Sequence, residues 1–402
     1  MSVPTIKLFH EDAYRTEFSG TVLSCVPNGS NWDVVLDQTC FYAESGGQPS
    51  DAGLLGGQPV LGVREEEDGT IIHTVATPLF GRVEGQIDWA RRLDHMEQHT
   101  GQHLLSGAFE RLLDAETVSW HLGTESCTVD LSIEVLTPEQ AERVEWECNR
   151  VVRSGLPVLV HLVDAEGVKR FPMRKPPKVT ANIRVVEIQG YDWSGCAGTH
   201  VRNVGELGLI KIKSWERYKK YTRVEFLVGQ RALADYMALD TMTRNLCRSL
   251  TIAVHELPKY VDRTQEEIAS LRKLLKVYQE KALEIEAKEL VAGARVVGGV
   301  RLVRLTFAGR PLDELKLLAA KVAQQPTCVA VFGTKGAVPQ LVIQRSPDVR
   351  IDAGAIIRQA LPLIDGKGGG SPVQAQGGGS RPEHLEQALD LIVAKVAEAV
   401  TP

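Results

Sequence analysis

The sequence contains no apolar run near the roughly 18 residues that a membrane-spanning helix requires. Its first residues, MSVPTIKLFHED, have neither a basic region nor an apolar signal core. These two absences predict a cytoplasmic protein with no membrane partner. Cysteine is sparse and odd in number, seven residues at positions 25, 40, 127, 148, 196, 247 and 328. That argues against a disulfide framework, so a cysteine with a function acts as a thiolate. A dominant charge is also missing: 46 Lys and Arg stand against 51 Asp and Glu, a net charge of −5. A nucleic-acid partner would therefore be met by local basic patches rather than by a general positive coat. What remains is a globular composition, 43% apolar and 24% charged, in 402 residues, a length suited to two to four domains.

Short strands with turn signals at Pro27-Asn28-Gly29 and Asp68-Gly69 read as a small all-β barrel over residues 1–88. The period then changes. Asp94 followed three residues later by Glu97 forms a capping-box pattern, and Leu104, Leu105, Ala108, Phe109 and Leu112 supply a helical apolar face, predicting a helix from His95 to Leu113. A second helix follows Thr137-Pro138, and strands at 183–188, 209–213 and 222–227 complete an α/β domain over 89–228. Residues 229–290 read as a helical hairpin broken at Pro258, with the second arm starting at Asp262 and carrying a short seam of Ile268, Leu271, Leu275, Tyr278, Ala282 and Ile285. Alternating strand and helix patterns over 291–402 suggest a separate α/β domain. The whole is an α+β multidomain protein. Within the last domain lies GKGGGSPVQAQGGGS, residues 366–380. So much glycine ordinarily means a flexible linker; the alternative is a loop whose backbone amides approach an anion or polynucleotide closely.

Two basic patches stand out. Lys169, Arg170, Arg174, Lys175 and Lys178 crowd a Pro-containing loop. Lys211, Lys213, Arg217, Lys219, Lys220 and Arg223 interleave with Trp215, Tyr218 and Tyr221, where rings and guanidinium planes can stack on exposed bases. A solvated surface is the plainer meaning of any one basic run.

The chemistry concentrates in two motifs. His99 and His103 in HTGQH lie four apart on the predicted helix, so their imidazoles project from one face at a separation that one metal ion bridges. A hundred residues on, Cys196 and His200 in GCAGTHV are again four apart, inside a Gly-rich turn. Three imidazoles and one thiolate suit the tetrahedral preference of Zn²⁺. The HExxH pattern of a metalloprotease is absent, because Thr100 follows the first His. Other histidines, including His10, suggest no special role, while His95 stands near the helix start and His121 follows Ser119-Trp120 in a segment that could face the metal.

The motifs HTGQHLL at 99–105 and CAGTHVRNVGELG at 196–208, with TCFYAESGGQPSDAGLL at 39–55, resemble the editing domain of alanyl-tRNA synthetase and its freestanding relatives, the AlaX proteins. The helical hairpin and GGGSPVQAQGGGS look like the DHHA1 domain, so the resemblance is to the long form of AlaX and covers most of the chain. It implies a trans-editing hydrolase that deacylates mischarged tRNA(Ala), chiefly the seryl species, then the glycyl. It also implies zinc held by His99, His103, Cys196 and His200, and a substrate motif at Gly46, Gly47 and Gln48; here Ser45 stands where relatives often carry a further glycine. Gln102, Ser119 and His121 are the candidates for the reacting pocket. Lys211, Lys219, Lys220, Gly377 and Gly378 are the candidates for holding tRNA, and a homodimer through the hairpin or the C-terminal domain fits the seam and the family. A zinc-stabilised tRNA-binding module without catalysis is the rival reading. A phosphoesterase would require a DHH triplet, to which Asp94-His95-Met96 is the nearest match.

Overall fold

The computed structural model of the chain describes residues 4–177 and 182–401. Two compact units are present, Met1–Thr251 and Ile252–Pro402. In the first, a short parallel pair, β1 (Ile6–Lys7) with β4 (Gln38–Thr39), and a one-turn helix, α1 (Leu8–Glu11), accompany a closed barrel. The barrel is formed by β2 (Glu17–Asn28), β3 (Asn31–Leu36), β5 (Gly53–Leu55), β6 (Gln58–Glu65), β7 (Ile71–Val75) and β8 (Arg82–Ile87), in the order β2-β3-β7-β6-β5-β8. Alternation along β7 and β8 buries every second residue, as a barrel interior demands.

Helix α2 (Trp89–Leu113) begins six residues before the expected start at His95. Its N-cap is Asp88, whose side chain accepts from the backbone N–H of Arg91. Asp94 is instead ion-paired with Arg231, and Glu97 is buried, so the capping-box pattern was a coincidence of spacing inside the helix. The helix expected after Thr137-Pro138 is α3 (Pro138–Ser154), which opens with a capping box of reciprocal bonds between Thr137 and Gln140. Strands β9 (Thr117–Leu122), β10 (Cys127–Leu131), β14 (Ile210–Tyr218) and β15 (Tyr221–Val228) make an antiparallel sheet ordered β14-β15-β10-β9. A second sheet is ordered β11-β12-β13, from β11 (Val158–Val163), β12 (Ile183–Ile188) and β13 (Asp192–Gly195). One apolar core joins α2, α3 and both sheets. Helix α4 (Gly229–Leu250) ends at Thr251 in the left-handed conformation, earlier than Leu257.

In the second unit, α5 (Leu257–Ala292) starts before Asp262 and takes Pro258 into its first turn, where a missing N–H costs nothing, so proline opens this helix rather than breaking one. A mixed sheet follows, ordered β16-β17-β18-β19-β21-β20. It comprises β16 (Arg295–Val297), β17 (Val300–Ala308), β18 (Cys328–Lys335), β19 (Gln340–Arg345), β20 (Lys367–Gly370) and β21 (Gln374–Gly378). The parallel pair β17–β18 is joined through α6 (Leu312–Ala323). Helices α5 and α6 cover one face of the sheet, and α7 (Ala353–Ala360) and α8 (Leu385–Val400) cover the other. The glycine-rich segment is therefore largely an antiparallel strand pair, not a linker. A Cβ on Gly377 would lie 2.3 Å from Leu361, so its missing side chain is filled by packing. No helix among the described residues is long and apolar enough to cross a membrane.

Candidate active site

Helix α2 carries His99 and His103 on its buried face, and the turn after β13 carries Cys196 and His200. That turn is fixed to β12 by a bond from the Cys196 N–H to the Arg184 carbonyl (3.1 Å). The four donor atoms lie within 4.8 Å of one another, and among the described residues this is the one such group. Cys196 Sγ is 3.4 Å from His99 Nε2 and 3.3 Å from His200 Nε2. Metal bonds of about 2.3 Å to sulfur and 2.1 Å to nitrogen, set tetrahedrally, require a separation of about 3.6 Å. The donor set fits zinc.

The outer nitrogen of each ring is also addressed, which is how a protein aims imidazoles at a metal. Gln48 Oε1 accepts from the Thr199 N–H (3.1 Å) and faces His99 Nδ1 at 2.7 Å, so the His99 proton belongs on Nδ1 and Nε2 is left bare toward the cluster. Gln48 Nε2 donates to Thr199 Oγ1 (2.8 Å). Thr100 Oγ1 lies 3.1 Å from His200 Nδ1. Asp192 Oδ2 is 3.6 Å from His103 Nδ1, an ion-pair distance, and Arg174 anchors that carboxylate. Burial raises the Cys196 thiol, but the charges of His99 and His200 outweigh it and hold the thiol well below its ordinary value. Burial likewise opposes a proton on His103, yet Asp192 and Cys196 raise that ring to about 9. His200, dominated by burial, is lowered to about 3.

The cluster opens onto a cavity of about 820 Å³ whose wall includes Tyr42, Gly46, Gln102, Thr117, Trp120 and Arg184. Gly46 and Gly47 have φ of +55° and +87°, and a Cβ on Gly47 would come within 2.9 Å of the Trp120 ring. Trp120 in turn lies 5.0 Å from the His99 ring. Gln102 Nε2 and Thr117 Oγ1 both donate to Ser106 Oγ, at 2.8 and 2.7 Å. Of the residues singled out from sequence, Gln102 and Gly46 reach the cavity and Gln48 orients a metal donor. Ser119 and His121 do not: the alternation of β9 turns Trp120 inward and sends its two neighbours to the opposite, exposed face. There Ser119 donates to Asp130 (2.6 Å). His95 is buried but stands outside the donor group.

Much of the basic patch along β14 and β15 is ion-paired. Lys211 meets Glu145 (2.9 Å), Lys213 meets Asp235 (3.1 Å), Arg217 meets Glu134 (3.4 Å) and Arg223 meets Asp130 (2.7 Å). Lys219 and Lys220, in the two-residue turn, lie over the rings of Tyr218 and Tyr221. In the other patch Lys169 pairs with Glu166 and Arg174 with Asp192, while Lys178 lies outside the described residues. Asp192, Trp120, Arg184 and His10 were not singled out from the sequence. His10 is brought by α1 to the cavity wall, where its Nε2 lies 3.1 Å from the Ala197 carbonyl and burial lowers it to about 4.

The family model of the threonyl and alanyl tRNA synthetase second additional domain matches residues 183–225, which include β12, the CAGTH turn and most of the β14–β15 hairpin. The alanyl-tRNA editing protein Aarsd1-B of Xenopus laevis is 36% identical over 286 residues, covering 66% of this chain and 69% of its own. An alanine–tRNA ligase of Methanoregula boonei is 32% identical over 406 residues, covering 96% of this chain; the chain spans 43% of that ligase. A crystal structure of the C-Ala domain of Aquifex aeolicus alanyl-tRNA synthetase is 28% identical and covers 26% of this chain and 97% of its own, with a TM-score of 0.25. The buried His and Cys group thus sits in an editing domain related to that of alanyl-tRNA synthetase. The chain belongs to the family of alanyl-tRNA editing proteins.

Proposed function

We propose that the protein is a trans-editing hydrolase of the long AlaX form, cleaving the ester of mischarged tRNA(Ala), seryl first and glycyl second, in the cytoplasm and with zinc bound by His99, His103, Cys196 and His200. The observation that carries this reading is the donor group, with His99 and His200 hydrogen-bonded through their outer nitrogens and His103 facing the Asp192 carboxylate, set in the wall of a cavity large enough for a nucleotide and its amino acid. Zinc held by His99, His103, Cys196 and His200 would supply positive charge to orient the ester end. The chain's residues do the rest. Trp120, packed over Gly47, shields one side of the cluster from water. Because Ser106 Oγ takes the protons of Thr117 and Gln102, Thr117 Oγ1 and Gln102 Oε1 remain acceptors for a serine hydroxyl. Alanine brings no such proton and leaves them unpaired, which discriminates more strongly than size alone.

In this reading Lys219 and Lys220 hold the tRNA backbone, and Lys211, at the opposite end of β14, is a further contact once its pairing with Glu145 is exchanged for phosphate. Residues 291–402 are a DHHA1-like domain whose Gly377 and Gly378 lie at a further RNA contact, and α5 supplies a homodimer seam. A deacylation assay on seryl-, glycyl- and alanyl-tRNA tests the proposal, with metal content measured on the wild type and Cys196→Ala. Serine release by the wild type and its loss with the metal in the variant are expected. Tight tRNA binding without any deacylation would instead make the protein a zinc-stabilised binding module.

A further inference from the structure

Among the described residues, the cationic side chains lining the cavity are Lys7, Arg174, Lys175 and Arg184, and no carboxylate lines it. Two of them are already satisfied, Lys7 by Glu65 and Arg174 by Asp192. Lys175 donates to the Thr117 carbonyl. Arg184 differs from all of these. Its Nη1 donates to the carbonyls of Cys196 and Gly198, each at 2.8 Å, its Nε is buried without a partner, and no carboxylate pairs with it. A partly buried guanidinium with no carboxylate partner, its charge opposed chiefly by the Cys196 thiolate, is costly to keep, and a bound anion lowers that cost. Through its bond to the Cys196 carbonyl the group is also held against the backbone of a candidate metal donor. An acylated RNA terminus carries its nearest phosphodiester one ribose away from the ester. We propose that Arg184 receives that terminal phosphodiester and thereby sets how deeply the ester enters the cavity. The inference rests on the editing reading and adds to it the feature of the substrate that is gripped. It makes Arg184 a binding residue that reads RNA rather than the amino acid.

The test compares seryl-tRNA with 2′(3′)-O-seryl-adenosine, which has the ester and the base but no phosphate. With Arg184→Met, KM for seryl-tRNA is expected to rise about 10- to 100-fold, the weight of one or two charge-assisted hydrogen bonds. Turnover of seryl-adenosine should change by no more than about twofold. Arg184→Lys, which keeps the charge without the fork, should recover part of the loss and guards against a variant that merely misfolds. Equal losses on both substrates would overturn the proposal, since Arg184 would then act on the ester or only brace the turn; a fall in bound metal would identify the latter. Calorimetric binding of the trinucleotide CpCpA and of adenosine supplies an arm that needs no activity. A wild-type preference for CpCpA that vanishes in Arg184→Met supports the proposal, and an unchanged preference sinks it. Failure of the wild type to deacylate either ester would tell against the editing reading, while the calorimetric arm would still decide the role of Arg184.

Discussion

The two long helices of this chain, α2 and α5, invert the usual relation between hydrophobic pattern and burial. Helix α5 shows apolar residues at alternating spacings of three and four, yet only Leu283, Ala287 and Val291 of its 36 residues are buried. Helix α2 has a much less regular apolar face, yet sixteen of its 25 residues are buried, among them Arg92, His95, Glu97, Gln98, His99, Gln102 and His103. An apolar stripe describes what a helix can bury, whereas polar side chains go inside when partners from elsewhere in the chain wait for them. Gln98 shows this: its amide both donates to the Val228 carbonyl and accepts from the Val228 N–H, each at 3.0 Å, as a neighbouring strand residue would.

Breaking the polar interior of α2 should be expensive. Arg92, fully buried, bonds Asp51 (2.9 Å) and the carbonyls of Ala13 and Cys40. Arg92→Ala is expected to destabilise by roughly 3–5 kcal/mol, because it leaves the Asp51 carboxylate buried without its counter-charge, held by the Tyr42 N–H; urea unfolding measures it, and a cost below that of an ordinary core truncation would refute the contrast between the helices. Gln48→Ala removes the outer partner of His99 and should lower zinc affinity about 10- to 100-fold, as read by chelator competition. Glu97 sharpens the comparison by pH. Burial raises its carboxyl to about 7, with the Gln230 N–H opposing. The folded state then holds the proton more tightly than the unfolded chain, so this group's contribution is full below about 4.5 and is lost as pH rises through about 7. Glu97→Gln should flatten that part of the stability profile, and unchanged curvature in thermal melts between those pH values would contradict the assignment. The smallest effect belongs to α5. Leu275→Ser, at an exposed seam position, should alter chain stability by no more than about 0.5 kcal/mol while shifting sedimentation from dimer to monomer.

The limits of the sequence follow the same division. Local signals were legible: the spacing of His99 and His103, the helix after Thr137-Pro138, and the strands at 183–188 and 222–227 all lie within a few residues of their cause. What escaped was set by contacts across long separations. Asp192 reaches His103 over 89 positions (192 − 103), and His10 reaches Ala197 over 187. Ser119 and His121 were misplaced by one step of strand parity, because the residue between them, Trp120, is the one that faces inward. The glycines at 366–380 read as slack because their reason, the close approach of Leu361 and neighbouring backbone, belongs to other segments.

The amide of Gln48 stands in a loop of the barrel, yet its oxygen determines which lone pair of His99 is available to an ion. A rotation of that one side chain by half a turn would present an N–H where the ring already carries one, and the imidazole would have to move its proton or swing away. The barrel is therefore more than a neighbouring module. It works as a selector of tautomer, so damage confined to its folding would surface first as a weakened grip on metal.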